Sequence, residues 1–347
     1  MKSIYSCTFL DLEKYFLSNN DKSFRAVQIY DWLYKKRVTS FDEMSNIKKD
    51  VIEKLKSDFV LDDIKIIDKK IGKDVAKFLI ELSDNQKVEA VLMFHDYGNS
   101  LCISTQVGCN MGCAFCESGR LKKVRNLCVN EMVLQILKIE EVMNLRISHV
   151  VLMGIGEPFD NYDNVIDFID IINCGKGINI GARHITVSTC GIIPKIKEFM
   201  KLDTQVNLAI SLHAPNDEIR SKIMNINKAY PINELIKVLK EYIEKTNRRV
   251  TFEYILLKGV NDSLECALEL SNLLRGMNCY VNLIPYNETS HIEFKKSSMD
   301  RILAFYDVLK KQNINVTIRR EFGSEVMAAC GQLRANYMEG TRWIIII

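Results

Sequence analysis

The chain of 347 residues has no apolar run long enough to span a membrane, no apolar signal stretch behind Met1-Lys2-Ser3-Ile4-Tyr5-Ser6, and little net charge. A spanning helix takes about 20 apolar residues, so no membrane association is expected. Without a signal run, the eleven cysteines are expected as thiols of a reducing, cytoplasmic protein rather than as secreted disulfides. A formal charge of +3 excludes a uniformly basic surface, so a polyanionic partner would be met by local patches. The chain is 47% hydrophobic, enough for a large core, and its length suits one large domain with a smaller one.

A fourth cysteine is also missing where chemistry would use it. Cys109-Asn110-Met111-Gly112-Cys113-Ala114-Phe115-Cys116 carries three thiols beside Gly108 and Gly112. Structural zinc takes four N/S ligands, and a four-iron cluster normally takes one cysteine per iron. Three thiolates leave one metal position open, which marks a catalytic iron–sulfur loop with Cys109, Cys113 and Cys116 as ligands. The competing reading is a zinc site completed by Cys102 or Cys128. Zinc ligands come mostly as two separated pairs, which this spacing is not.

Periodicity divides the chain. Helices are expected over 11–19 and 24–37, the second with Ala26, Ile29, Tyr30 and Leu33 on one face. Ser40 with Glu43 reads as a capping box for a third helix toward Leu55. Residues 1–65 thus form a small helical domain. Its Trp32, Tyr34, Lys35, Lys36 and Arg37 fit either an RNA contact or a solvated face. Residues 66–94 read as a connecting extended segment with a strand over 88–93.

From 95 to 337 strands alternate with amphipathic helices. Strands are expected over 101–107, 149–153, 184–189, 206–213, 249–257, 280–284 and 316–320. Helices are expected over 129–143, 165–172, 193–200, 217–224, 232–245, 263–274 and 299–311. This rhythm is α/β with a parallel sheet, about six units of an open or partial barrel, followed by a tail over 338–347. Ligands of such folds sit at the carboxyl ends of the strands. There the chain places the cysteine loop, Gly156 with Glu157, Ser188, Ser211-Leu212-His213 and Asn287. A glycine allows close backbone approach, a glutamate can hold an ammonium group, and the serines and asparagine can meet carboxylate, ribose or adenine. His213 would act through its backbone or its ring.

The cysteine spacing resembles the radical S-adenosylmethionine signature. The segments Gly154-Ile155-Gly156-Glu157-Pro158-Phe159-Asp160-Asn161-Tyr162, Ile210-Ser211-Leu212-His213-Ala214-Pro215-Asn216-Asp217 and Ala328-Ala329-Cys330-Gly331-Gln332-Leu333 resemble the RlmN and Cfr family of RNA methyltransferases, the first of them its RlmN branch. The resemblance implies a partial (β/α)6 radical-SAM barrel, a [4Fe-4S] cluster and two molecules of S-adenosylmethionine per turnover. It implies methylation of adenosine carbon 2 in 23S rRNA and in tRNA just 3′ of the anticodon, with a flavodoxin or ferredoxin as electron donor. Cys330 would carry the methyl group, Cys102 would release the product by a disulfide with Cys330, and Glu89 would accept a proton. The division of the base role between Glu89 and Cys102 stays open.

Two alternatives remain. Phe322 resembles the Cfr branch, which methylates carbon 8 and confers antibiotic resistance, and a metal-stabilised RNA-binding protein without catalysis is the other. Glu117 departs from the small residue expected after the last cluster cysteine. RNA contacts are expected at Arg120, Lys122, Lys123, Arg125, Arg319 and Arg320. The remaining cysteines, Cys7, Cys128, Cys174, Cys190, Cys266 and Cys279, read as small packed residues.

Overall fold

The computed structural model describes residues 1–120, 122–289 and 291–319; Arg320, Phe322, Cys330 and the 338–347 tail lie outside them. The chain opens with β1 (Lys2–Ser3) and α1 (Phe9–Ser18), whose start is set by Thr8, which forms a capping box with Asp11. The second expected helix is instead α2 (Phe24–Tyr30) followed by a π-helical turn over Asp31–Lys36, closed by Arg37 at φ 57°. The wider turn keeps Leu33 and Tyr34 buried, with Tyr34 edge-on to Tyr30 at 4.8 Å. Ser40 and Glu43 do form a capping box, but on a single 3-10 turn, Phe41–Glu43. Phe41, Met44 and Ile47 are buried at a spacing of three, which suits that tighter turn and not the 3.6-residue period. The helix itself, α3 (Lys49–Asp58), begins later, and β2 (Phe59–Val60) then pairs in parallel with β1.

The stretch after residue 64 is extended, and it joins the main sheet. β3 (Lys65–Ile71), β4 (Val75–Glu81), β5 (Lys87–His95) and β6 (Gly98–Cys102) pair antiparallel in succession. The expected 101–107 strand breaks after Cys102, and β7 (Gln106–Val107) pairs instead with β8 (Arg125–Asn126) across the cysteine loop and α4 (Glu117–Arg120). From there the chain alternates: α5 (Val129–Met143), β9 (Ile147–Leu152), α6 (Tyr162–Asn173), β10 (Ile185–Thr189), α7 (Ile193–Phe199) and β11 (Asn207–Ser211). It continues through α8 (Asp217–Ile223), α9 (Ile232–Thr246), β12 (Val250–Leu256), α10 (Leu264–Leu274), β13 (Cys279–Pro285), α11 (Met299–Lys311) and β14 (Val316–Ile318).

The ten-stranded sheet runs β14-β13-β12-β11-β10-β9-β6-β5-β4-β3. All pairings from β6 to β14 are parallel, which is the open barrel of six strand–helix units, with β14 added. One apolar cluster runs from Ile4 in the N-terminal domain to Val316, so that domain shares the barrel's core. Polar ties reinforce the joint. The Ser6 hydroxyl donates to Asn130 at 3.1 Å, Lys138 pairs with Asp63 at 3.0 Å, and Arg37 pairs with the buried Glu140, which also accepts the Ile147 N–H at 2.6 Å. Replacing Arg37 with Ala strands a buried carboxylate at this joint and should destabilise the fold by about 1–3 kcal/mol, read as a lower midpoint in urea.

Candidate active site

The cysteine loop is held by its backbone. The Ala114 N–H donates to Ile223 at the end of α8 at 2.9 Å, Cys116 N–H to Cys113 at 3.1 Å, and Gly119 N–H to Cys116 at 3.0 Å. Gly112 sits at φ +60° and takes an Asn225 side-chain hydrogen bond on its carbonyl. Cys109, Cys113 and Cys116 are half-buried and line one cavity of about 350 Å³.

The next strand end closes against this loop. Gly154 N–H donates to Ile103 at 3.0 Å, Thr105 and Gln106 N–H groups to Ile155 at 2.9 and 3.1 Å, and Glu157 N–H to the Gln106 side chain at 2.9 Å. A Cβ on Gly154 would lie 2.4 Å from the Ile103 carbonyl oxygen, and one on Gly156, at φ +112°, 2.6 Å from Gln106. Glu157 is buried and accepts from Phe159 N–H at 3.0 Å and Cys190 N–H at 2.8 Å. Burial raises its pKa, opposed by these donors. Glu157 lines the same cavity as the three thiols.

Ser188, Ser211, His213 and Asn287 line the same cavity. Leu212 does not: its side chain lies in the core and its carbonyl accepts from Arg220 at 3.2 Å. Arg220, fully buried, also donates to the carbonyl of Cys190 at 2.6 Å, fastening the ends of β10 and β11 together. It is a structural pin that the motif reading missed. His213 adopts φ 58°, accepts the Ile255 N–H on Nδ1 at 3.1 Å, and meets Phe115 of the cysteine loop edge-on at 4.9 Å. Burial pushes its pKa down to about 3, with the Arg220 charge acting in the same direction.

The antiparallel strands supply the facing wall. Cys102 pairs with Val91, and Glu89 lies two residues along on that same face. Glu89 is buried and forms an ion pair with Lys77 of β4 at 3.1 Å, neither side chain reaching solvent. Its carbonyl accepts from the Ser104 hydroxyl at 2.6 Å. Lys77 escaped the sequence reading, although a lysine centred in an otherwise apolar strand is itself the signal of a buried partner. Cys102 is buried with Val75 and Met93, and burial pushes its thiol up to about 11, with Arg319 acting in the opposite direction. Cys330 lies outside the described residues.

The thiol triplet fits a cluster better than a single ion. Among the described residues no three His, Cys, Asp or Glu side chains close on one metal position. A cubane instead takes one thiolate at each of three irons. Neither proposed fourth zinc ligand serves: Cys128 is exposed at the start of α5, not packed as expected, and Cys102 sits in a separate apolar cluster from Cys113. Burial raises the Cys109 thiol to about 12, and Cys113 and Cys116 shift upward for the same reason, so holding all three as thiolates takes the positive charge of bound iron. Glu117, buried in this wall, accepts from Arg120 at 3.1 Å, while its Oε1 has no partner among the described residues.

The basic run beyond the loop is largely committed inward. Lys123 pairs with Asp160 at 2.7 Å, and Arg125 with Glu131 at 2.7 Å and Asp84 at 2.8 Å, so these bonds organise the loop's return. Of Arg120, Lys122, Lys123 and Arg125, Lys122 alone has no such tie among the described residues, and it is exposed. No helix of the described residues is long and apolar enough to cross a membrane.

Two measurements probe the site's electrostatics. Lys77→Met removes the ammonium beside a buried carboxylate and should destabilise by about 3–5 kcal/mol in urea, most of it recovered in the Lys77→Met, Glu89→Gln double variant. His213 titrates near 3 folded against 6.5 as a free side chain. Below 6.5 the unfolded chain therefore takes up a proton that the folded chain refuses. Its stabilisation is complete above 6.5 and is lost as pH falls toward 3, at up to about 1.4 kcal/mol per pH unit. His213→Asn tolerates the left-handed backbone and should flatten stability over that window.

Comparison with known proteins agrees with this geometry. The radical SAM superfamily profile matches residues 103–270, and the ribosomal RNA large subunit methyltransferase N-terminal domain matches 4–61. The chain is 53% identical to a probable dual-specificity RNA methyltransferase RlmN of Spiroplasma citri over 97% of this chain and 98% of that one. It is likewise 53% identical to the protein of that name from Enterococcus faecalis, over 97% of both chains. The crystal structure of a radical SAM methyltransferase from Sphaerobacter thermophilus superposes with a TM-score of 0.89 at 39% identity, covering 96% of this chain and 99% of that one. The chain belongs to the RlmN family of the radical SAM superfamily.

Proposed function

We propose that this protein methylates carbon 2 of adenosine in the peptidyl-transferase region of 23S rRNA and in tRNA just 3′ of the anticodon. The observation that carries the reading is a single cavity walled by the three cluster thiols on one side and by Cys102 and Glu89 on the other. A carbon between two ring nitrogens is a poor nucleophile, so methylation there calls for a radical route rather than direct displacement. A [4Fe-4S] cluster on Cys109, Cys113 and Cys116, when bound, supplies the electron that cleaves S-adenosylmethionine.

The chain's own residues divide the rest. Gly156 and Glu157 would take the amino acid end of S-adenosylmethionine, the glycine by close approach and the glutamate by a charged hydrogen bond. Ser188, Ser211, His213 and Asn287 would hold its nucleoside, with Leu212 fixing the backbone between two of them. Cys330 accepts a methyl group from a first S-adenosylmethionine; the second, once cleaved, would take a hydrogen atom from that methyl, so that two are used per turnover. The carbon would then join the adenine, the unpaired electron of the adduct returning to the cluster. Glu89 takes the proton from carbon 2, and the ion pair with Lys77 holds that carboxylate in place beforehand. Cys102 bonds to the Cys330 sulfur as the bond from that sulfur to carbon breaks; the pair of electrons stays with the released carbon, which takes up a proton, in balance with the one Cys102 loses, to become the methyl group. Burial keeps Cys102 a neutral thiol until then. A flavodoxin- or ferredoxin-type protein is the proposed electron donor.

The test is mass spectrometry of nucleosides from 23S rRNA and tRNA of a methylation-deficient host with and without this protein. The expected result is 2-methyladenosine in both RNAs, lost in Cys330→Ala while the visible absorption of the reconstituted cluster persists. Gain of 8-methyladenosine would move the reaction to carbon 8, and full activity of Cys330→Ala would overturn the methyl-cysteine route.

A further inference from the structure

Besides Glu117, beside the last cluster cysteine, the cavity wall carries a second buried acid to which the proposed reaction gives no task. Glu253, in β12, is 4% exposed and lines the cavity. Its Oε1 accepts from Asn282 at 2.9 Å, and Asn282 accepts in turn from the Thr317 hydroxyl at 3.0 Å. Its Oε2 is buried with no hydrogen-bond partner among the described residues. Buried polar groups are almost always paired, so an orphaned carboxylate oxygen facing a cavity marks a place where a ligand donates.

Register says which ligand. Ser211, Glu253, Asn282 and Thr317 are direct neighbours across β11 to β14, forming one polar row, and Ser211 lines the cavity beside Glu253. A nucleoside seated on Ser211 therefore lies against Glu253. Burial raises the Glu253 pKa, opposed by Arg319 in the same wall and by the Asn282 hydrogen bond, both of which favour the ionised carboxylate. An ionised carboxylate only accepts, and a ribose cis-diol offers two adjacent O–H donors to its two oxygens, as acidic residues do in other nucleotide sites. A nucleotide inside an RNA strand has its 3′ oxygen esterified and offers one hydroxyl; a free nucleoside keeps both.

We infer that Glu253 is the acceptor for the ribose diol of S-adenosylmethionine, the nucleoside already placed beside Ser211. This rests on the reading that the cavity binds S-adenosylmethionine. It assigns Glu253 to binding, with Asn282 and Thr317 as the positioning residues that aim it.

The test is calorimetric titration of the anaerobically reconstituted protein with S-adenosylhomocysteine and with its 2′,3′-dideoxy counterpart. Wild type should bind the dideoxy ligand about 10- to 100-fold more weakly, the range of a charge-assisted hydrogen bond. Glu253→Ala should bind both ligands alike, at the weaker level. Discrimination that survives in Glu253→Ala overturns the inference, and so does equal binding of both ligands by wild type. That second comparison needs no variant, so it stands even if Glu253→Ala folds poorly. Discrimination against a ligand lacking the 6-amino group, in place of the diol, would also overturn it and assign Glu253 to the base. Failure of wild type to bind S-adenosylhomocysteine at all would sink the reading of the cavity itself, and this inference with it.

Discussion

The site depends on the contact between two backbone segments, 103–106 leaving the first barrel strand and 154–157 leaving the second. They approach so closely that no side chain fits between them at Gly154 or Gly156. Five backbone or side-chain hydrogen bonds zip them together and carry Glu157 to the cavity wall. The same contact fixes where the cysteine loop departs, since β7 begins within the zipped segment. A methyl group at Gly154 would push the loop and Glu157 apart together, so the cysteine loop and the Glu157 side of the cavity share one geometric constraint.

Much of this was legible in the sequence, for a physical reason. Helices over 129–143 and 299–311 and the strands between them announce themselves by local period, and parallel pairing then places every strand's carboxyl end on one side. Hence the cysteines of the loop, Gly156, Glu157, Ser188, Ser211, His213 and Asn287, all expected at strand ends, line one cavity. What was missed depends on distant partners. The apolar-against-polar pattern of residues 65–81 says extended, but nothing local says that these strands widen the sheet beyond its first parallel member. The breaks after Tyr30 and Glu43 arise from packing of Tyr34, Met44 and Ile47. Arg220 and Glu253 look like surface charges in a linear reading, and only the fold shows them buried; Lys77 carries a local signal in its apolar strand, but its partner is visible only in the fold.

Those three buried charges are handled in three ways. Lys77 meets Glu89 at 3.1 Å, so each offsets the other's desolvation, and the pair is destabilising only when one partner is removed. Arg220 is satisfied by carbonyl oxygens and an Asn227 side chain, spending its charge on holding backbone ends in place. Glu253 is the one left incompletely paired. A fold that satisfies the first two so fully makes the third informative, because the same sheet had donors at hand in Asn282 and used only one of them.

The antiparallel strands explain why two sets of chemistry can share one cavity. In the parallel part, the strand ends and their loops face a ligand from one rim. Cys102 lies at the seam, paired antiparallel with Val91 and parallel with Val151. Its side chain therefore belongs both to the rim that carries the cluster loop and to the wall that carries Glu89. Residues on that wall keep their spacing through cross-strand pairing rather than through loops, so Lys77, Glu89 and Cys102 cannot drift independently. A sheet that ended at β6 would still hold the thiol triplet, but it would leave Cys102 on an open edge and would have no buried carboxylate to set beside it.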